Sequence, residues 1–376
     1  MNLALIFGFA LVCFLPALLT SVLVTALLRK LAPKIGLLDQ PSERKVHTSP
    51  TPLGGGIGIW AGVLIPVAMA QLGIWLVASN EELREKIPAG IGVDWNRVLE
   101  NSGTMWGILL AGTLLAAMGL LDDKKNLSWF PRLLVQLLVV VGVVGMLGVR
   151  ATVFAQQTWI GFLFSVLWMG VLINAFNFLD NMDGLTSGIG FISALLFAAV
   201  MLLFPEDPRW LVGGVLLVLA GSLGGFLFFH NWPPARIFMG DAGSMFIGFM
   251  ISAMTILGTF YKEDVVGRHV MLAPLCILAI PLYDFVSVIF IRLKQGRSPF
   301  HPDKSHFSHR LVELGLKPKY AVLTIHLATW TTGLGGLILY QVENWAMAIV
   351  VLGMVGCTLA IIAILETKGR ANTAKK

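Results

Sequence analysis

Charge is scarce in this chain: Asp, Glu, Lys and Arg make up only 13% of its 376 residues, against about a quarter in an ordinary soluble domain. Hydrophobic residues reach 56% and the mean hydropathy is +0.81. So little polar surface cannot cover so much apolar surface in water, which excludes a soluble globular fold and makes lipid the solvent. Cysteine is nearly absent too. The three present, Cys13, Cys276 and Cys357, all lie in apolar stretches without C-x-x-C spacing, which argues against a disulfide framework or a thiolate metal site. No internal repeat or low-complexity segment is apparent. The net charge of +6 is spread over short links between apolar segments, so it fits a positive membrane face and not a nucleic-acid surface.

What the chain has instead is long apolar runs. A spanning helix needs about 20 apolar residues to cross about 30 Å of hydrocarbon. Eleven such spans are expected, near 3–28, 53–78, 104–121, 132–149, 159–178, 185–204, 210–229, 242–261, 269–293, 320–340 and 345–365. Ten remain an alternative, because the links near Asp180 and Gln341 are very short. The first run is too long for a signal-peptide core and no small-residue cleavage site follows it. The expected fold is therefore all-α, a polytopic transmembrane bundle forming one domain over 1–376, with a disordered basic tail at 366–376. Counting Lys and Arg by link gives five at 29–45, three at 124–132, Arg236, seven at 292–319 and four at 368–376. Twenty of the 27 thus share one side. That places the N-terminus outside and the C-terminus in the cytoplasm of a plasma (inner) membrane protein.

On the inner side the polar residues stop looking like loop filler. Asp122-Asp123 closes one span. Asn177, Asp180, Asn181 and Asp183 crowd a very short link, and Asp241 opens another span between Gly240 and Gly243. Acids placed together near a membrane repel one another without a cation. Asp and Asn oxygens with no His or Cys cluster point to Mg²⁺, with Mn²⁺ as the alternative. A lone Asp at a helix end is more often a cap or an ion-paired residue, and Asp122-Asp123 alone is balanced between the two readings. The link from Arg292 to Lys319 carries seven basic residues, together with His301, His306 and His309. It reads as a lid for pyrophosphate oxygens. Arg44-Lys45-Val46-His47 followed by Gly54-Gly55-Gly56 is a second basic segment whose glycines fit either a phosphate cradle or close helix packing. His326 reads as a packed polar residue. Asp284, after Pro274 and Pro281, marks a broken helix and its role is open. Asp39, Glu43, Asp303 and Glu313 read as solvated loop charges.

In this order and at these spacings, five segments resemble the polyprenyl-phosphate N-acetylhexosamine-1-phosphate transferases over about residues 20–320. They are Lys45-x-His47 with Pro52-x-Gly54-Gly55, Leu121-Asp122-Asp123, Asn177 to Leu185, Phe238-Met239-Gly240-Asp241-x-Gly243-Ser244, and His306-Phe307-Ser308-His309-Arg310. The resemblance implies Mg²⁺ on Asp241 and Asn177, and catalytic roles for Asp122, Asp123, Asp183 and His309. It implies substrate contacts for Lys45, His47, Asp180, Asn231, Phe238, His306 and Arg310. The branch it points to joins a UDP-N-acetylhexosamine, most simply UDP-GlcNAc, to undecaprenyl phosphate, releases UMP and starts an envelope glycan. A homodimer is left open. In one respect the chain departs from the family pattern, which commonly reads His-x-His-His: Ser308 stands at the third position. Lacking three consecutive histidines, it fits the phospho-MurNAc-pentapeptide branch less well. A secondary transporter is the alternative of another class, but its acids would be expected at the bilayer midplane between related halves.

Overall fold

The computed structural model describes residues 3–40, 50–85, 95–151, 157–205, 208–258, 267–299, 303 and 305–373. Its helices are α1 (Leu3–Leu31), α2 (Gly55–Ser79), α3 (Glu81–Glu85), α4 (Trp95–Lys125), α5 (Trp129–Met146), α6 (Thr158–Leu179) and α7 (Leu185–Leu203). They continue with α8 (Trp210–Phe226), α9 (Asp241–Leu257), α10 (Ala273–Ile277), α11 (Ala279–Lys294), α12 (Phe307–Glu313), α13 (Pro318–Ile338) and α14 (Trp345–Thr373). The all-α expectation gains one small addition. Strands β1 (Leu38–Asp39) and β2 (Thr51–Pro52) pair antiparallel, Leu38 opposite Pro52, and tie together the two ends of the first link.

Among the described residues, nine helices are long and apolar enough to cross a bilayer, or ten with the bent pair that ends in α11 counted as one span. This is a multi-pass membrane bundle. The expected span left out of this number is the one at 242–261, which corresponds to α9; with 17 residues it reaches only about 25 Å at 1.5 Å per residue. It is buried from Ala242 to Ile256 and packs against α2, α4 and α6, so protein rather than lipid surrounds it. With α7 and α8 it forms the core, where Phe197, Phe226, Phe246 and Phe249 are wholly buried. By contrast, α1 and α14 turn Leu19, Leu23, Ile361 and Leu365 outward.

The broken helix is where the prolines placed it. Arg268–Ile277 and Ala279–Lys294 meet at 67°, because Pro281 has no N–H for the carbonyl of Ile277 and its ring crowds that carbonyl. The C-terminus departs from expectation. Helix α14 runs to Thr373, through most of the stretch expected to be a disordered tail. Glu366, at the start of that stretch, is buried against Arg310 and Tyr283, and these contacts keep the helix ordered there.

Candidate active site

The three acidic segments meet at one end of the bundle because small residues let their helices touch. A Cβ on Gly119 would lie 2.4 Å from the Asp241 carbonyl, so only glycine lets the end of α4 rest on the start of α9. Gly240, just before α9, has φ 74° and ψ 178°, a region essentially closed to other residues. It brings the next two N–H groups onto the Asp123 carboxylate, with Asp241 donating at 2.8 Å and Ala242 at 3.4 Å. Asp123 therefore caps α9, where the helix dipole favours negative charge.

Asp122 is buried. Its Oδ1 accepts the Leu127 N–H at 2.6 Å, and its Oδ2 lies 2.5 Å from Arg132 Nη1. The same Arg132 nitrogen reaches Asp241 Oδ2 at 2.9 Å, so one guanidinium, in the first turn of α5, bridges two of the three acidic segments. The third segment joins through Asn177 near the end of α6, whose Nδ2 donates to Asp241 Oδ1 at 2.9 Å and to Ser244 Oγ at 3.0 Å. Asp180 lies just beyond α6. Burial pushes its carboxyl up to about 7, and the charge of Asp123 adds to the effect. A small cavity lined by Trp129, Arg132, Gln136, Asn174, Asn177 and Phe178 opens beside this cluster.

Other expected site residues are placed differently. Asn231 is buried with its side chain engaged by protein: Oδ1 accepts Gly184 N–H and Ser187 Oγ–H, both at 2.9 Å, and Nδ2 donates to Ile237 O. It fastens the Asp180–Asp183 link to the α8–α9 link. Asp183 works the same way, accepting the Ala235 N–H at 2.9 Å. Phe238 contributes backbone, donating to Pro52 O and accepting from Gly55 N–H. Gly56 N–H is likewise taken by Met239 O, and a Cβ there would sit 2.2 Å from Gly243 N, so these glycines serve close packing and not a phosphate cradle. Lys45 and His47 lie outside the described residues. His326 is a packed polar residue as expected, its Nε2 donating to Gly184 O at 3.2 Å.

The histidine segment diverges most. His306 is buried: its Nδ1 lies 3.0 Å from Asp284 Oδ2, and Nε2 faces Arg292 Nη2 at 3.4 Å. Asp284, wholly buried, also takes the Phe307 N–H at 2.6 Å, so it serves as the cap of α12. Arg310 turns away from the carboxylate cluster, toward Glu366 at 3.1 Å and Ser287 at 2.8 Å. In this structure His306 and Arg310 are engaged by partners within the protein. Asp303 is no solvated charge either. Burial raises its pKa, but the Arg292 guanidinium at 3.1 Å and the Ser305 hydrogen bonds together outweigh that and hold the carboxyl below the usual range. His309 is half-buried, its ring centroid 6.4 Å from that of His306. Ser308 Oγ meets Asn181 Oδ1 at 2.5 Å, which docks α12 on the carboxylate link.

Residues 105–259 match glycosyl transferase family 4. A Bacillus subtilis protein named "Probable undecaprenyl-phosphate N-acetylglucosaminyl 1-phosphate transferase" is 32% identical over 342 residues, covering 89% of this chain and 86% of its own. The chain belongs to this family. A Mycobacterium leprae "Decaprenyl-phosphate N-acetylglucosaminephosphotransferase" is 33% identical, with 83% of this chain and 79% of its own covered. An Escherichia coli "Undecaprenyl-phosphate alpha-N-acetylglucosaminyl 1-phosphate transferase" is 28% identical over 86% of this chain and 83% of its own. As a family 4 glycosyl transferase, the chain is a membrane-embedded transferase whose acidic cluster falls within or beside the matched segment. Arg132 lies inside that segment, but the sequence presented it only as one more positive charge in a short link.

Proposed function

We propose that the chain transfers N-acetylglucosamine-1-phosphate from UDP-N-acetylglucosamine to a polyprenyl phosphate, undecaprenyl phosphate in the first instance, and releases UMP. The reaction is placed at the cytoplasmic face of a plasma membrane, where the product starts an envelope glycan. The observation that carries the reading is the meeting of Asp122, Asp123, Asn177 and Asp241 around Arg132. The names of the relatives support a polyprenyl-phosphate acceptor and N-acetylglucosamine phosphate as the group transferred.

The donor set fits a hard divalent cation. Asp241 and Asn177 lie side by side, and no group of three or more His, Cys, Asp or Glu suited to a metal occurs among the described residues. Mg²⁺ commonly takes one or two protein oxygens and fills its shell with water and phosphate. Asp241 and Asn177 would hold it, and when bound there it neutralises diphosphate charge and stabilises the departing UMP. Arg132 would grip a phosphate oxygen, since a guanidinium already lying between two carboxylates can exchange one of them for a substrate oxyanion. Asp122, released from that ion pair, would orient the lipid phosphate or take its proton. An oxygen of the lipid phosphate then attacks the β-phosphorus of the donor, the bridging Pα–O–Pβ bond breaks, and UMP leaves with the electron pair. Asp180, Asp183 and Asp123 hold the link geometry around this centre.

The test uses detergent-purified protein with a panel of UDP-sugars and undecaprenyl or decaprenyl phosphate, and mass spectrometry of the lipid. The expected product is polyprenyl diphosphate-GlcNAc with stoichiometric UMP and no membrane gradient. Failure of every UDP-sugar in the panel to yield UMP and a lipid product would overturn the proposal, and a product from the muramoyl-pentapeptide donor alone would move the chain to that branch.

A further inference from the structure

Buried ionisable residues in membrane helices are rare and usually functional, and one lies far from the acidic cluster in sequence. Glu366 is in α14, near the end of its membrane-crossing part, and is only 3% exposed. Its Oε2 accepts from Arg310 Nη1 at 3.1 Å and from the Tyr283 hydroxyl at 3.0 Å. The other arm of the Arg310 guanidinium donates to Ser287 at 2.8 Å and stands 3.8 Å from Asp284 Oδ1. Three helices, α11, α12 and α14, are therefore tied in one buried polar knot. Helix α12 has only seven residues, too few to hold its own shape, so its placement comes from these contacts. Asp284 caps its start, Arg310 anchors its far side, and Ser308 docks it on Asn181 beside Asp180. His309 sits between Ser308 and Arg310.

We propose that Glu366 is a positioning residue for the transfer reaction: through Arg310 it holds α12, and with it His309, against the carboxylate link. A buried carboxylate is costly to desolvate, and an apolar replacement of both partners would be about as stable as the pair, although losing Glu366 alone leaves the buried Arg310 charge with fewer partners. What Glu366 adds is direction, because a guanidinium fork accepts its partners only in its own plane. The proposal rests on His309 acting in the transfer reaction, and the experiment separates the two.

The experiment measures kcat and KM of the purified full-length chain, with UDP-GlcNAc and undecaprenyl phosphate, for Glu366→Leu, Glu366→Gln, His309→Ala and the double variant Glu366→Leu/His309→Ala. Glu366→Leu should fold, lose about 10²-fold in kcat, the scale of a misplaced reacting group, and keep its KM for the lipid. Glu366→Gln, which still accepts both hydrogen bonds, should recover most of that loss. The double variant should be no slower than the slower single one, because both changes act through the same helix. Wild-type kcat in Glu366→Leu, or losses that multiply in the double variant, would overturn the proposal. His309→Ala at the wild-type rate would remove only the role given to His309, and Glu366 would then be judged on its own kcat. Should Glu366→Leu not survive purification, Arg310→Lys replaces it and is read in the same way, since it keeps the charge but gives up the fork.

Discussion

At the scale of single residues, the decisive feature is that the charges of the acidic cluster are paired within the protein. Asp241→Asn changes volume little and removes one charge between Arg132 and Asn177. Turnover should fall by about 10³-fold or more, with the protein still monodisperse and its melting temperature close to wild type; ordinary activity and Mg²⁺ dependence would refute the metal assignment. His309→Ala should cost about 10²- to 10⁴-fold in turnover. Asp180 offers a test by pH. Its carboxyl is raised from 3.8 to about 7 by burial and by Asp123, so the native state holds a proton that the unfolded chain has released. Stability is lost as pH rises through this window, and the cost is complete above about pH 7. Asp180→Asn should therefore melt higher than wild type at pH 8 without divalent cation, and no higher at pH 4. The acids themselves were legible in sequence, because polar residues in such short links between apolar runs have no solvation role to explain them. Arg132 was not, since one Arg at a helix start looks the same whether it faces water or bridges two carboxylates. The burial of His306 and Arg310 was not legible, because a basic link reads as a surface until its acidic partners, Asp284 and Glu366, are found elsewhere in the chain.

At the scale of elements, the site depends on close approach of helix ends. Gly240→Ala would force a backbone conformation costing about 1–3 kcal/mol, and its Cβ would lie 2.4 Å from Asp123 Oδ2. Gly148→Ala supplies the control, since φ there is also positive, at 68°, but nothing lies within 4 Å of the added atom. Thermal melts should show a modest drop for Gly148→Ala and a larger one for Gly240→Ala, which alone should also lose activity. Equal drops with equal activity would mean that the Asp123 cap does not organise α9. Helix existence was readable from apolar run length, and the break before α11 from Pro274 and Pro281. The helix at the start of the last segment was not, because composition at 366–376 is dominated by small and basic residues while Glu366 is fixed by Arg310 and Tyr283 from distant parts of the chain.

At the scale of the whole molecule, the basic residues predict which side the acidic cluster faces. Ser128 and Ser298 are both exposed. Single cysteines at these two positions, in a background lacking Cys13, Cys276 and Cys357, should react with an impermeant reagent only in inside-out vesicles. Labelling of either in intact cells would reverse the proposed orientation.

The knot around Glu366 also bears on how the enzyme comes into being. Translation delivers the acidic cluster, then α12, and only two helices later the carboxylate that Arg310 grips. A nascent chain still held by the ribosome at α13 has every acidic residue of the cluster in the bilayer but lacks the partner that orients its histidine helix. A protein truncated before residue 366, or one whose last helix is pulled aside by a fused domain, is left in that same unfinished state.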